Sequence, residues 1–139
     1  MNRIVLAVAI ATLGLANQAF ADEAMVAAGE KVFKKCGACH AVGEGAKNKV
    51  GPELNELFGR VPGTVEDYKY SKAMIAFGED GKVWNEELLT AYLAAPKKVV
   101  EGTKMAFAGL NKEEDVANVI AYLETFSTNK ANPDAAKTN

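Results

Sequence analysis

Both cysteines of this 139-residue chain, Cys36 and Cys39, and its single histidine, His40, fall within five consecutive positions. That clustering constrains the fold more than any other feature, because the rest of the chain offers little regular structure. The few periodic segments read as helix. In "MVAAGEKVFKKC", Gly29, Phe33 and Cys36 share one face at helical spacing. "NEELLTAYLAAP" opens with Asn85 as an N-cap, carries acidic residues in its first turn and closes before Pro96. "NKEEDVANVIAYLETF" holds the stripe Val116, Val119, Ile120 and Leu123, with Asn111 as cap and Glu114 three residues on. A shorter turn from Ser71 to Phe77 is expected to stop at Gly78. Between these run glycine- and proline-containing loops: "GEGAKNKVGP", "GRVPGT", "GEDG" and "KKVVEGTKMAFAGL". The pattern predicts an all-α single domain of short helices and long loops. Loops this long in so small a domain need something to order them.

The amino terminus carries an address. Arg3 precedes a 12-residue apolar run, Ile4 to Leu15, broken only by Thr12 and Gly14, and Ala19-Phe20-Ala21 has a small-x-small form. The run is well short of the roughly 20 residues a spanning helix needs. Residues 1–21 are therefore expected to be a cleaved signal peptide, residues 22–128 one domain, and residues 129–139 a polar, disordered tail. The expected location is an oxidising compartment, the periplasm, with no integral membrane segment after cleavage. The mature chain would start at Asp22, hold 118 residues and set 15 basic against 18 acidic side chains, a net charge of −3. That balance argues against nucleic acid as a partner, since phosphate neutralisation needs a concentrated basic surface. A monomer is expected.

Three readings compete for the cysteines. A thioredoxin-like site would set its Cys-x-x-Cys at a helix start inside a βαβ unit, and no such unit surrounds Cys36. A structural zinc site wants four closed ligands, and beyond these three no Cys or His exists. A plain disulfide would leave His40 without a role. Cys-x-x-Cys-His is the c-type haem attachment motif, in which two thiols add across the porphyrin vinyl groups and the adjacent imidazole reaches the iron. One haem c per chain, attached through Cys36 and Cys39, is therefore the expected cofactor, and it would also order the loops. If His40 is one axial ligand, the other cannot be an imidazole. The mature chain offers Met25, Met74 and Met105. Met25 precedes Cys36 by only 11 residues, and Met74 in "YSKAMIAF" reads as core filler. Met105, in the loop "EGTKMAFAG", is the favoured ligand.

"GEKVFKKCGACH", "GPELNELFGR", "YLAAPKKVVEGTKMAF" and "VIAYLETF" resemble, in order, the landmarks of class I c-type cytochromes. The similarity is to small soluble bacterial electron carriers akin to mitochondrial cytochrome c, and it runs from about Gly29 to Phe126. The resemblance implies the cytochrome c fold, with His40 and Met105 as the metal ligands. It implies that the Pro52 carbonyl accepts the second imidazole N–H, which fixes the ring's tautomer and orientation. Tyr92 matches the tyrosine that hydrogen-bonds the methionine sulfur, and Arg60, Tyr70, Trp84 and Thr103 match residues that hold the propionates. Gly29 and Phe33 would cross the last helix near Val119 and Tyr122. Three positions depart from the family: Glu101 stands where proline often precedes Gly102, Met74 replaces a polar residue, and Asn48 replaces a histidine of the mitochondrial relatives.

What the resemblance implies is not an enzyme. It is a periplasmic mono-haem carrier moving single electrons between membrane redox complexes, in respiration or photosynthesis. A quinol:cytochrome c oxidoreductase would be the donor, and a terminal oxidase or photosynthetic reaction centre the acceptor. Met ligation raises the potential of such an iron. Two alternatives stay open: a five-coordinate haem that binds gas or reduces peroxide, and a subunit held permanently to a larger oxidoreductase. By the same resemblance Lys35, Lys49, Lys97, Lys98 and Lys104 would ring the exposed haem edge, with much of the acid elsewhere. Such a dipole would turn that edge towards an acidic partner.

Overall fold

Five helices joined by loops make up residues 14–129, which are the residues that the computed structural model describes. They are α1 (Gly14–Phe33), α2 (Lys72–Glu79), α3 (Glu86–Ala94), α4 (Pro96–Val99) and α5 (Glu113–Glu124). No strand occurs among the described residues. Residues 1–13 of the expected signal peptide and residues 130–139 of the expected tail lie outside them. Helix α1 runs through Ala21 and Asp22, where cleavage is expected.

The frame is the crossing of α1 on α5. A Cβ on Gly29 would stand 1.9 Å from the Asn118 carbonyl oxygen and 2.7 Å from Tyr122 Cβ, so only glycine lets the two backbones meet. Phe33 then lies 5.4 Å from the Tyr122 ring, which packs edge-on against Phe126 at 5.1 Å. The inner face of α5 buries Val116, Val119, Ile120 and Leu123 with Leu89 and Tyr92 of α3. Each such aliphatic side chain is worth about 1.5–3 kcal/mol of transfer free energy. That is the stripe that the sequence periodicity picks out.

Helix ends follow local chemistry in part. Asn85 caps α3, its side-chain oxygen accepting from the Leu88 N–H at 2.8 Å. Ser71 caps α2 by accepting from Met74 at 3.1 Å. Two expectations need correction. Helix α2 does not stop at Gly78 but continues to Glu79, because that glycine serves packing rather than termination. A Cβ there would meet the Pro62 carbonyl oxygen at 2.0 Å. Helix α5 is not capped by Asn111. Its N-cap is Lys112, which makes no side-chain cap, and Glu113, Glu114 and Asp115 instead meet the positive end of the helix dipole. The turn α4, read from sequence as loop, forms with Pro96 at its first position, where a missing N–H costs nothing.

Beyond α5 the chain folds back as a strap. The Glu56 N–H donates to the Phe126 carbonyl at 2.9 Å, and the Glu56 carboxylate accepts from both the N–H and the hydroxyl of Thr128 at 2.8 Å. Together these contacts pin the α1–α5 pair to the loop that follows the cysteines. Among the described residues no helix is long and apolar enough to cross a membrane.

Candidate functional site

Helix α1 ends into a tight turn that aligns the cysteine motif. Cys36 N–H donates to Phe33 at 2.7 Å, Cys39 to Cys36 at 3.0 Å and His40 to Cys36 at 2.9 Å. This winding sets Cys36, Cys39 and His40 on the wall of a single cavity of about 270 Å³. Both thiols are free and half-buried. Burial pushes the Cys36 thiol up, Lys35 opposes that shift, and Cys39 adds to it. Most of the remaining wall is apolar, built by Phe33, Leu54, Leu57, Leu89, Val119 and Leu123. Met105 and Met74 both line this cavity. Met25 does not; it borders a separate groove between α1 and α5.

His40 is held in one orientation. Its Nδ1 lies 2.7 Å from the Pro52 carbonyl oxygen, and a carbonyl can only accept, so Nδ1 carries the proton. Nε2 is then left with its lone pair. Burial lowers the histidine's pKa, the Pro52 bond works against this, and the Arg60 and Lys49 charges push it further down. A neutral imidazole with a bare Nε2 is a metal ligand in waiting. Room for the ring comes from Gly51, a residue that sequence reasoning missed. A Cβ there would sit 2.5–2.9 Å from three atoms of the imidazole. The Gly51 N–H also donates to the Cys39 carbonyl at 2.8 Å, closing the loop onto the motif.

The polar side of the cavity contains all five of Arg60, Tyr70, Trp84, Tyr92 and Thr103. Arg60 is anchored from behind, donating to the carbonyls of Asn55 at 3.0 Å and Glu53 at 3.2 Å and pairing with the Glu53 carboxylate at 3.4 Å. Burial pulls its pKa down, while Tyr70 and Glu53 act in the opposite direction. The Tyr70 hydroxyl accepts from the Val65 N–H at 3.4 Å, and its ring meets Tyr68 edge-on at 4.7 Å. Trp84 is buried, with its ring 5.0 Å from that of Tyr92. The Tyr92 hydroxyl and Thr103 Oγ1 are hydrogen-bonded at 2.9 Å, a pairing that sequence reasoning missed. Thr103 Oγ1 in turn accepts from the Met105 N–H at 3.3 Å, so the pair fixes the backbone of the Met105 loop.

The five lysines divide. Lys35 forms an exposed ion pair with Asp115 at 3.4 Å, Lys49 donates to the Gly37 carbonyl, and Lys104 donates to the Lys69 carbonyl at 2.6 Å. Lys97 and Lys98 stand exposed on α4 and make no ion pair among the described residues. Lys35, Lys104 and the 77 % exposed Val50 all border the cavity.

Known proteins share this architecture. The family described as Cytochrome c matches residues 26–127. A cytochrome c2 of Afifella marina is 57 % identical over 113 residues, covering 81 % of this chain and 91 % of its own length. A cytochrome c2 of Agrobacterium tumefaciens (strain II Chrys) is 55 % identical over 73 % of this chain and 91 % of its own length. Among solved structures, cytochrome c2 from Rhodospirillum centenum superposes with a TM-score of 0.71 at 40 % identity, covering 73 % of this chain and 98 % of that one. The matched span begins ahead of the cysteine pair and ends beyond α5, and the chain belongs to the cytochrome c family, the class I c-type cytochromes that carry covalently attached haem.

Proposed function

We propose that this chain is a periplasmic electron carrier in which His40 and Met105 are the axial ligands of one haem c. The observation that carries the reading is that both free thiols, the bare Nε2 of His40 and the Met105 side chain belong to one apolar cavity. That donor set fits a haem held by two thioethers, with neutral sulfur and nitrogen ligands. When bound, the haem supplies a single iron that exchanges one electron. The protein's part is to hold ligands in place and keep water out. Pro52 locks the His40 tautomer, Thr103 and Tyr92 hold the Met105 loop, and the aliphatic wall lowers the local dielectric. Arg60, Tyr70 and Trp84 are the polar groups available to propionates.

An iron with both axial positions filled has no place for substrate, which suits a carrier and not an enzyme. Names of the relatives, cytochrome c2 above all, support the same role. The partners we assign are membrane redox complexes, a quinol:cytochrome c oxidoreductase on one side and an oxidase or photosynthetic reaction centre on the other. They would be met through the lysines around the cavity mouth. Export by residues 1–21 completes the reading.

The test is a visible spectrum with carbon monoxide. Reduced wild type should be low-spin, should keep its haem after acid extraction, and should bind no carbon monoxide. Met105→Ala should bind it and lower the potential, whereas Met74→Leu should do neither and cost under about 1.5 kcal/mol. Carbon monoxide binding by the wild type would favour a gas- or peroxide-reactive haem. Loss of the low-spin spectrum in Met74→Leu would mean that the wrong methionine was assigned.

A further inference from the structure

Glu53 does not line the cavity, yet it stands directly behind a residue that does. Its carboxylate lies 3.4 Å from Arg60 Nη1, and the two side chains are only 23 % and 15 % exposed. The arrangement is hydrogen-bonded from several directions. The second carboxylate oxygen of Glu53 accepts from the Asn55 N–H at 2.7 Å. Its own N–H donates to Asn48 Oδ1 at 2.9 Å, and Asn48 Nδ2 reaches across to the Glu66 carbonyl at 2.9 Å. Arg60 is gripped by the Glu53 carboxylate and by the carbonyls of Asn55 and Glu53. A guanidinium has five N–H donors, so these three contacts leave two for a partner in the cavity. Charges this sheltered interact through less than bulk dielectric and are screened weakly by salt.

We propose that Glu53 is a positioning and charge-balancing residue for the electron-transfer centre. It fixes the Arg60 fork from behind and offsets its positive charge, holding the reduction potential below the value that Arg60 alone would set. The proposal rests on the haem reading above. Its sign follows from electrostatics. Reduction adds an electron, so a positive charge in the cavity wall favours the reduced state and a negative charge behind it disfavours that state. Glu113 and Glu114, exposed at the start of α5, sit in water and act weakly.

Glu53→Gln keeps the length and an acceptor oxygen for Arg60 while removing the charge. Purified holoprotein would be titrated spectroelectrochemically at neutral pH, in about 0.1 M and about 1 M salt, beside wild type and Glu113→Gln. The redox equilibrium of Glu53→Gln should shift about threefold towards the reduced state, or ~28 mV at 59 mV per tenfold for one electron. That shift should persist at high salt, and Glu113→Gln should move far less. Arg60→Gln, which leaves the carboxylate uncompensated, should shift the equilibrium the other way. A merely structural role would not give opposite signs, and if Glu53→Gln does not accumulate, Arg60→Gln compared with the double variant Arg60→Gln/Glu53→Gln decides the matter, the double variant standing at the higher potential. An unmoved or lowered potential in Glu53→Gln with covalent haem and a wild-type spectrum would overturn the proposal alone, as would a raised potential in Arg60→Gln. A wild type without covalent haem would overturn the haem reading, and this proposal with it.

Discussion

Gly51 is where a single atom decides the site. The His40 ring stands close to its backbone, and the Cβ of an alanine would overlap three ring atoms at 2.5–2.9 Å. The ring cannot simply rotate away, because Nδ1 is tied to Pro52 at 2.7 Å. Gly51→Ala should therefore either break that bond or displace Nε2 from its aim. The expected outcome is a much lower yield of low-spin holoprotein and a broadened visible spectrum, read on cells that make the wild type well. A normal yield and spectrum would mean that the loop yields at little cost. At this scale the chemistry of the motif was legible, since Cys36, Cys39 and His40 are neighbours in sequence and their combination has few uses. Gly51 was not, because its reason is a ring eleven positions earlier. Its only signal was a glycine before Pro52 in a loop with other glycines. The pairing of Tyr92 with Thr103 was hidden for the same reason: two residues eleven apart were assigned separate partners, and the fold brings their oxygens to 2.9 Å.

Elements were legible where their cause is periodic and less so where it is tertiary. The α5 stripe and the Asn85 cap are written in local spacing, and both helices form where the spacing puts them. Gly78 misled because a glycine in a short helix reads as a stop, while here it admits the Pro62 carbonyl. The strap after α5 left no trace in the pattern. It depends on Glu56, whose φ of 51° is a left-handed conformation that glycine would take more readily. Hydrogen bonds from the Thr128 N–H and hydroxyl hold the Glu56 carboxyl below the usual carboxylate range. A folded-state pKa below the unfolded one stabilises the fold fully above the unfolded value, and that contribution fades as pH falls through the lowered one. Glu56→Gln keeps the backbone strain and removes the charge. Its unfolding free energy should lie below wild type at neutral pH and converge on it as the acid range is entered. Denaturant titrations at a series of pH values would check this, and parallel curves would show that the carboxylate does not couple the strap to the fold.

At the scale of the whole molecule, the fold class was legible because several separate motifs pointed to one family, and the family match over residues 26–127 covers all of them. Charge placement was less so, because sequence cannot tell a lysine on the surface from one already engaged. Lys35, Lys49 and Lys104 are tied to Asp115, Gly37 and Lys69, which leaves Lys97 and Lys98, exposed on α4, with the most freely presented charges of the five. Their turn is anchored by Pro96, which is among the most deeply buried residues, so the two ammonium groups are displayed on a fixed base. An acidic partner approaching that face would be steered by them over roughly a Debye length, about 10 Å at 0.1 M salt. Val50, 77 % exposed at the cavity rim, offers a partner an apolar contact that charge reversal on α4 leaves intact. Changing Lys97 and Lys98 together to Glu should slow bimolecular electron transfer about tenfold or more at low salt, since steering raises on-rates by 10–10³. The difference from wild type should shrink as salt rises, and the reduction potential should stay nearly fixed. The control is Lys130→Glu with Lys137→Glu, which makes the same change of net charge in the tail. Stopped-flow rates against a purified acidic redox partner, with salt as the variable, separate the cases. Equal losses from both pairs would mean that net charge and not this face guides the encounter, and a rate indifferent to salt would remove steering altogether.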